Sequence, residues 1–310
     1  MSEPYILKKG LSLDRLKTLR DVAAAGGIRN AVGDDPVRQS LASRQLKELD
    51  ACFGVRLTAR KGRTISVTPE GQELARIVED FFVMLTRYED GITNRSSSMS
   101  LGIGDSYFQW YLLPCLPAIQ RAYPKMNLVP QSNGTEEIVQ GVRGGRFDLG
   151  VVRSTSVSGK MLVSCQLGTV RYKLFIPSQL YNSLPKVIDF KEVIKDLPFC
   201  TLSGSGEYAT FVDSLLEKCG AAPPLKCASL LQVSGTVQSG QYAAILPEGA
   251  RVTLTPDRFI EIPLSQLKGL ERKLIVIWRS QAIRKNSSYE EFAKYLALTM
   301  SDYMKSNFGD

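Results

Sequence analysis

Most of the positive charge of this 310-residue chain lies in residues 8–68. That segment holds thirteen Lys and Arg against six Asp and Glu, a net charge of +7, while the whole chain carries +8. So strong an excess in one fifth of a chain is more typical of a surface that meets a polyanion than of an ordinary solvated surface. The hydrophobic periodicity of the same residues limits which fold can present that charge.

Helical periodicity predicts two helices in the first part of this segment. The first begins at Leu13 and ends at Gly26 and Gly27, because paired glycines stop a helix. A second, short helix covers about 28–33, and a turn over 34–36 follows it. The apolar stripe of the first helix consists of Leu16, Leu19, Val22 and Ala23.

A third helix is predicted over about 39–52, with one apolar and one polar face. The polar face carries side chains that can reach base edges or phosphates in a DNA major groove. For Leu41, packing against the second helix and contact with a thymine methyl group both remain open. The inward residues are Ala42, Leu46, Leu49 and Phe53, and the polar ones are Gln39, Ser40, Ser43, Arg44 and Lys47.

A basic hairpin follows the third helix. Residues 54–57 and the β-prone residues 64–67 flank a tight turn over 60–63, which predicts a two-stranded wing. Helix, helix, basic helix and basic hairpin in that order make a winged helix-turn-helix. We expect four cations of this domain to lie near DNA phosphates, namely Arg29, Arg60, Lys61 and Arg63.

Many residues between 31 and 71 match, at the same spacing, the signature residues of a known protein family. They are Ala31, Val32, Val37, Gln39, Ser43, Arg44, Gln45, Leu46, Leu49, Gly54, Val55, Arg56, Leu57, Arg60, Gly62, Arg63, Thr68, Pro69, Glu70 and Gly71. In these residues the chain resembles the LysR-type transcriptional regulators. Where the family usually has a serine that caps the recognition helix, the chain has Arg38, so either Asp35 or Ser40 caps the helix instead. Asp35 also stands at a usually apolar position, and Thr58 replaces the usual phenylalanine.

A long amphipathic helix is predicted from Pro69. The resemblance implies that residues 69–97 are a dimerising linker helix followed by a hinge in the polar run 93–98. A plain core helix is the alternative. The apolar face carries Leu74, Ile77, Val78, Phe81, Leu85, Tyr88 and Ile92.

Strands and helices alternate beyond residue 98, which predicts an α/β sheet. Strands are expected over 100–103, 126–131, 148–152, 172–177 and 274–278, and helices over about 109–123 and 136–143. The resemblance implies that 98–310 is an effector-binding domain that looks like a two-lobed periplasmic solute-binding protein. Lobe I is expected over about 98–168 and 268–310, and lobe II over about 169–267.

Such a two-lobed fold binds ligands between its lobes, where strand ends and helix N-termini offer unpaired N–H groups to an anion. Arg153, just past the third strand, is a candidate counter-charge. Ordinary helix capping is the alternative for each Ser and Thr at these positions. The candidates for the effector site are Asp105, Ser106, Thr135, Arg153, Ser203, Ser205 and Thr236.

The absence of histidine excludes Ser-His-Asp and Cys-His catalysis and His-containing metal sites. The six cysteines lack the CxxC spacing of metal and redox motifs, so we expect free thiols. A redox pair among Cys200, Cys219 and Cys227 is the alternative. We therefore expect no enzyme activity, no metal and no cofactor, and only a small-molecule effector.

Neither membrane insertion nor export is expected. The longest uninterrupted apolar runs are five residues, far short of the about 20 that span a bilayer. Residues 1–10 lack the apolar core and the cleavage pattern of a signal peptide, so we expect a cytoplasmic location.

The sequence predicts a transcriptional regulator whose promoter binding responds to a small molecule held between two lobes. Its expected partners are double-stranded DNA, further copies of itself in a homodimer or homotetramer, RNA polymerase and the effector. The alternative is a small-molecule-binding or sequestration protein of the solute-binding fold without a promoter role. Residues 8–68 favour the regulator, because transport and sequestration need no basic winged helix.

Overall fold

The computed structural model describes residues 10–61, 64–93, 98–156, 162–183, 190–221, 224–280 and 287–309. The chain forms two compact units, one of Met1–Arg95 with Gly144–Arg146 and one of Ser96–Arg143 with Phe147–Asp310. Within the described ranges, no helix is both long enough and apolar enough to cross a membrane.

In its described part, the first unit combines short helices, a hairpin and one long helix. Its elements are α1 (Leu13–Ala25), α2 (Ile28–Val32), α3 (Pro36–Phe53), β1 (Thr58–Lys61), β2 (Thr64–Val67) and α4 (Pro69–Thr93). Their apolar faces share one core, formed by Leu19, Val22, Ile28, Ala42, Leu46, Leu49, Leu57 and Ala75. The inward faces predicted for α1 and α3 are thereby confirmed.

Helix α1 has the predicted bounds. Ahead of its first turn, the Ser12 hydroxyl accepts a hydrogen bond from the N–H of Arg15 (3.3 Å). At its end, Gly26 adopts the left-handed conformation (φ 73°), and its N–H donates to the Ala23 carbonyl. Glycine takes this conformation without the steric penalty of a Cβ, which is why the helix stops there.

Helix α3 begins at Pro36, three residues before its predicted start. Asp35 is its N-cap, because its carboxylate accepts hydrogen bonds from the backbone N–H groups of Val37 (2.8 Å) and Arg38 (3.4 Å). Proline suits the first helical position, since its φ is already helical and its missing N–H would be unpaired there. The cap left open between Asp35 and Ser40 is therefore Asp35.

The first strand of the hairpin is Thr58–Lys61 and not 54–57. Gly54 adopts the left-handed conformation (φ 70°) that ends α3, and the N–H of Leu57 donates to the Asp50 carboxylate (2.9 Å). Residues 54–57 are thus the turn that closes α3. Because β1 starts later than predicted, basic residues expected in the hairpin turn belong to the strand.

Helix α4 begins at Pro69 as predicted, but its apolar residues do not all face the core. Leu74 packs against the core of the first unit and Val78 is buried, whereas Ile77 (52% exposed) and Leu85 lie at the surface. Of the predicted apolar face and hinge, the parts outside the described residues are the side chains of Tyr88 and Ile92 and residues 94–97.

The second unit alternates strands and helices, which confirms the α/β class. Its elements are β3 (Ser98–Ile103), α5 (Asp105–Tyr107), α6 (Leu116–Ala122), β4 (Asn127–Ser132), α7 (Thr135–Gly144), β5 (Leu149–Arg153), β6 (Leu162–Val170), β7 (Tyr172–Pro177), α8 (Ser178–Asn182), α9 (Phe190–Asp196), β8 (Cys200–Leu202), α10 (Glu207–Lys218), β9 (Leu225–Cys227), α11 (Leu230–Gln238), β10 (Ala244–Pro247), β11 (Phe259–Ile262), β12 (Arg272–Arg279) and α12 (Ser287–Phe308).

A five-stranded sheet with the order β4-β3-β5-β12-β6 forms one lobe of this unit. Strand β3 pairs in parallel with β4 and β5, and β12 runs antiparallel to β5 and β6. The helix predicted over 109–123 begins earlier, at Asp105, and passes through a π turn at Phe108–Leu112 and a 3-10 turn at Leu113–Cys115. Pro114 and Pro117 lack the N–H that regular α-helical bonding needs.

The other lobe contains the antiparallel sheet β10-β7-β11 and the parallel pair β8-β9. A bridge between Phe199 and Ala243 connects the two sheets. The chain crosses between lobes at Arg171, which separates β6 from β7, and returns between β11 and β12. The N–H of Glu248 donates to the Arg171 carbonyl (2.8 Å), and the N–H of Arg171 donates to the Glu248 carboxylate (3.3 Å). The first crossing segment is thus bonded to the residue that follows β10.

Candidate nucleic-acid interface and interlobe cleft

The outer face of α3 presents a stripe of polar side chains. Ser40, Ser43, Arg44 and Lys47 recur at the spacing of one helical face and line a shallow depression of about 440 Å³. Arg44 and Lys47 are exposed. Gln39 lies beside the stripe, where its Nε2 donates to the Gly33 carbonyl (2.7 Å). The five residues predicted for the polar face of α3 therefore do share one surface.

Nearby carboxylates pair with two of the predicted DNA-contacting arginines in the single chain. Arg44 donates to Glu48 (3.0 Å), and this bond holds the pKa of Glu48 below its usual value. Arg29 pairs with Asp34, and their hydrogen bond raises the pKa of the arginine and lowers that of the aspartate. Exposed pairs of this kind contribute little to stability.

Two exposed apolar side chains lie next to the polar stripe. Val37 is 76% exposed and Leu41 is 54% exposed, on the N-terminal half of α3. Packing of Leu41 against the second helix, which the sequence left open, is therefore wrong. An exposed aliphatic side chain on this face is suited to contact a thymine methyl group in a major groove.

The hairpin supplies the other predicted phosphate contacts. Arg60 lies in β1 opposite Ile65, and Lys61 lies opposite Thr64. The side chains of Arg60 and Lys61, and all of Arg63, fall outside the described residues.

The carboxyl ends of β3, β4 and β5 meet at one edge of the five-stranded sheet, because these three strands are parallel. Four predicted effector-site residues follow or end these strands. They are Asp105 and Ser106 in α5, Thr135 at the start of α7, and Arg153 at the end of β5. Ser203 and Ser205 precede α10 in the other lobe. These positions are the ones that a two-lobed fold turns toward its cleft.

Side-chain capping does not account for the serines at these helix starts. The N-caps of α5 and α10 are Gly104 and Gly206, and neither helix end receives a side-chain hydrogen bond at its cap. Thr236, however, is not at a helix start. It lies in the last turn of α11, and its hydroxyl donates to the Gln232 carbonyl (2.9 Å), whereas Ser229 caps that helix. The expected position of Thr236 at a helix N-terminus is therefore wrong.

One ion cluster lies between the lobes. The carboxylate of Glu207, at the start of α10, is 2.5 Å from Arg272 and 3.8 Å from Arg153. Tyr107 and Tyr172 are close by. Burial raises the pKa of each phenol, although the guanidinium groups of Arg153 and Arg272 act to lower it. The cleft is therefore cationic on the side of the five-stranded sheet.

Two family profiles match the chain. Residues 13–72 match the family described as "Bacterial regulatory helix-turn-helix protein, lysR family", and residues 94–297 match the "LysR substrate binding domain". The chain belongs to the LysR family of transcriptional regulators.

Individual LysR-type relatives resemble the chain over most of its length. A probable nitrogen assimilation transcriptional activator of Synechococcus elongatus is 25% identical over 282 residues, covering 87% of this chain and 90% of the relative. The crystal structure of CbnR, a LysR family transcriptional regulator, matches with a TM-score of 0.66 and 16% identity, covering 94% of this chain and 99% of CbnR. Full-length CbnR complexed with its target DNA matches with a TM-score of 0.61 and 19% identity, covering 92% and 100%. At these identities the two structures show a shared fold.

Several cleft residues of this LysR-type chain escaped sequence analysis. Glu207 and Arg272 carry no local motif, and only the pairing of β12 with β5 brings Arg272 next to Arg153. Arg272 begins β12 two residues before the strand predicted over 274–278, so the predicted strand did not include it. In the described part of the chain, no group of three or more His, Cys, Asp or Glu side chains is placed to hold a metal ion.

Proposed function

We propose that this LysR-type regulator recognises its promoter with the outer face of α3 and is controlled by a small molecule bound between the lobes of its second unit. The polar stripe of α3 supports promoter recognition, since five side chains able to contact DNA share one exposed surface. Arg29 and the hairpin residues Arg60, Lys61 and Arg63 then contact phosphates. We place the protein in the cytoplasm, where such a regulator meets its DNA.

Helix α4 supports self-association. Ile77, Met84 and Leu85 are exposed in the single chain, and their spacing places them along one side of a helix. A second copy of α4 buries such a stripe, which makes a homodimer the basic unit and a homotetramer its further assembly. Two copies then present two α3 helices to two half-sites. RNA polymerase is the partner through which DNA binding changes transcription.

The effector binds where the sheet edge of one lobe faces the other. Asp105, Ser106, Thr135, Ser203 and Ser205 approach this edge from strand ends and helix starts. Arg153 is the cation expected there to hold an anionic ligand. Thr236, the remaining predicted residue, already donates its hydroxyl hydrogen bond within α11.

Substitution of Gln39 tests the assignment of the α3 face. Genomic fragments selected on the full-length protein supply a cognate site, and a scrambled fragment of the same length supplies the reference. Gln39→Ala is expected to weaken cognate binding by roughly 1–3 kcal/mol while leaving binding to the scrambled fragment nearly unchanged, because a lost base contact carries sequence information. Fluorescence anisotropy measures both affinities.

Two further variants make this measurement decisive. Arg63→Ala removes an expected phosphate contact and should weaken binding to both fragments by the same factor. Gln72 is an exposed glutamine in α4, and Gln72→Ala should leave binding to both fragments unchanged. Equal losses for Gln39→Ala and Arg63→Ala on both fragments would show that the α3 face is not the reading surface.

A further inference from the structure

A single carboxylate bridges two cations across the interlobe cleft. Glu207 belongs to α10 of one lobe, while Arg153 and Arg272 belong to the five-stranded sheet of the other. One oxygen of Glu207 lies 2.5 Å from Arg272 and the second lies 3.8 Å from Arg153. Arg153 pairs with Leu274 of β12, so both arginines lie at the sheet edge that faces the cleft.

Arg272 is held in position by groups other than Glu207. Its Nη1 donates to the carbonyl groups of Gly269 (3.1 Å) and Glu271 (2.9 Å), and its side chain is only 11% exposed. A guanidinium so far removed from water is costly without an anionic partner. The position occupied by the Glu207 carboxylate is therefore a prearranged anion site.

Glu207 itself is held much less firmly. Its side chain is 66% exposed, so it can leave the arginines with little loss of packing. The surrounding phenols remain in place, because the rings of Tyr172 and Tyr208 stack at 5.3 Å and the Tyr208 hydroxyl donates to the Ile245 carbonyl. Departure of Glu207 thus leaves a formed pocket wall with two guanidinium groups that have no other carboxylate partner among the described residues.

We propose that Glu207 is an internal competitor that occupies the carboxylate position of the effector. A ligand that is a small carboxylic acid replaces Glu207 between Arg153 and Arg272, which assigns the effector to that chemical class. This inference rests on the proposed function, in which a ligand between the lobes controls promoter binding. Because Glu207 and the arginines belong to different lobes, the exchange also replaces a direct link between the lobes by one through the ligand, and the ligand thereby acts on lobe position.

Chemical rescue of a glutamate-deleted variant tests the exchange. Full-length Glu207→Ala is titrated with acetate at constant ionic strength, and binding is followed by the rise in the thermal unfolding midpoint. The tethered carboxylate of the wild type competes at a high effective concentration. We expect the apparent dissociation constant for acetate to be at least tenfold lower in Glu207→Ala than in the wild type.

Three further variants define the site. Glu217→Ala, an exposed glutamate on the same helix, should respond to acetate as the wild type does. Glu207→Gln, which keeps the side-chain volume, should also bind acetate more tightly than the wild type. Adding Arg272→Gln to Glu207→Ala should abolish the gain. An equal response of wild type and Glu207→Ala, or a gain that survives Arg272→Gln, would overturn the inference.

Binding to the selected DNA fragment, measured on the same preparations, separates this inference from the proposed function. A flat acetate response with intact sequence-specific DNA binding contradicts the role of Glu207 and leaves the regulator assignment standing. If the wild type shows no sequence-specific DNA binding, that result would instead contradict the proposed function.

Discussion

Leu41 presents an aliphatic side chain on the solvent-exposed face of α3. Because it is 54% exposed, truncation removes little buried surface, and we expect Leu41→Ala to leave the thermal midpoint nearly unchanged. If it contacts a thymine methyl group, the variant should bind the selected DNA about fivefold more weakly, the equivalent of about 1 kcal/mol. Anisotropy on DNA with uracil in place of thymine provides the matching measurement.

The same DNA pair identifies the contact. Uracil lacks only the methyl group, so wild-type binding should weaken on the uracil fragment while Leu41→Ala should not distinguish the two. Leu46→Ala serves as a control, since Leu46 is 1% exposed and its truncation should cost about 2–5 kcal/mol of stability. If wild type and Leu41→Ala lose the same amount of affinity on uracil DNA, Leu41 does not contact a thymine methyl group.

The cysteines bear on the redox alternative. Cys200 is buried and its Sγ contacts the Val233 carbonyl (3.6 Å), and burial raises the pKa of this thiol to about 12. The thiolate, which is the reactive form, is then about one part in ten thousand at pH 8. We expect iodoacetamide to modify partly exposed Cys165 long before Cys200, with the Cys200 rate rising about tenfold per pH unit. Peptide mass spectrometry measures both, and a Cys200–Cys227 disulfide formed under mild peroxide would contradict this assignment.

At the residue scale, the sequence was informative where a side chain acts within its own element. The spacing of Ser40, Ser43, Arg44 and Lys47 defines a helix face without any knowledge of the fold. It failed for Thr236, because a threonine within a helix can satisfy its hydroxyl on a carbonyl of the preceding turn, here that of Gln232.

Helix α3 depends on one capping residue. Asp35 accepts from two N–H groups of the first turn, and Asp35→Ala should destabilise that turn by about 1 kcal/mol. Backbone amides near Val37 are then expected to exchange hydrogen about fivefold faster in the full-length protein. Asp35→Asn keeps an accepting oxygen and should exchange nearly as slowly as the wild type. Unchanged exchange in Asp35→Ala would mean that another group caps α3.

Helix α4 carries the prediction of self-association. A charge placed in its exposed apolar stripe, as in Ile77→Lys, should convert the dimer or tetramer to monomer, because burial of an unpaired charge in an apolar interface is costly. Sedimentation velocity measures the change. Thr86→Lys, at another exposed position of α4, should leave assembly intact. A wild-type chain that sediments as a monomer would contradict the role given to this stripe.

The boundaries of helices and strands were predictable only where they depend on interactions within a few residues. The bounds of α1 follow from Ser12 and Gly26, whose capping geometry is a local property. The start of α3 differs from the predicted one because Pro36 is the first helical residue and not part of a turn. The first hairpin strand was misplaced because residues 54–57 close α3 before the strand begins.

The order of strands is the property of the whole chain that the sequence left undetermined. Alternation of strands and helices predicts the α/β class, and family resemblance implies two lobes. The position of β12 between β5 and β6 depends instead on pairing between segments far apart in the chain. For this reason Arg153 was predicted as a lone counter-charge, whereas the structure adds Arg272 and Glu207 beside it.

The salt dependence of DNA binding measures how many phosphates the basic first unit engages. With the full-length protein and its selected fragment, the logarithm of affinity should fall steeply and linearly with the logarithm of salt concentration. Each neutralised phosphate adds about 0.9 to the slope, so several basic contacts on each of two half-sites give a slope of many times that value. A nearly salt-independent affinity, or equal affinity for selected and scrambled DNA, would contradict promoter recognition by the first unit.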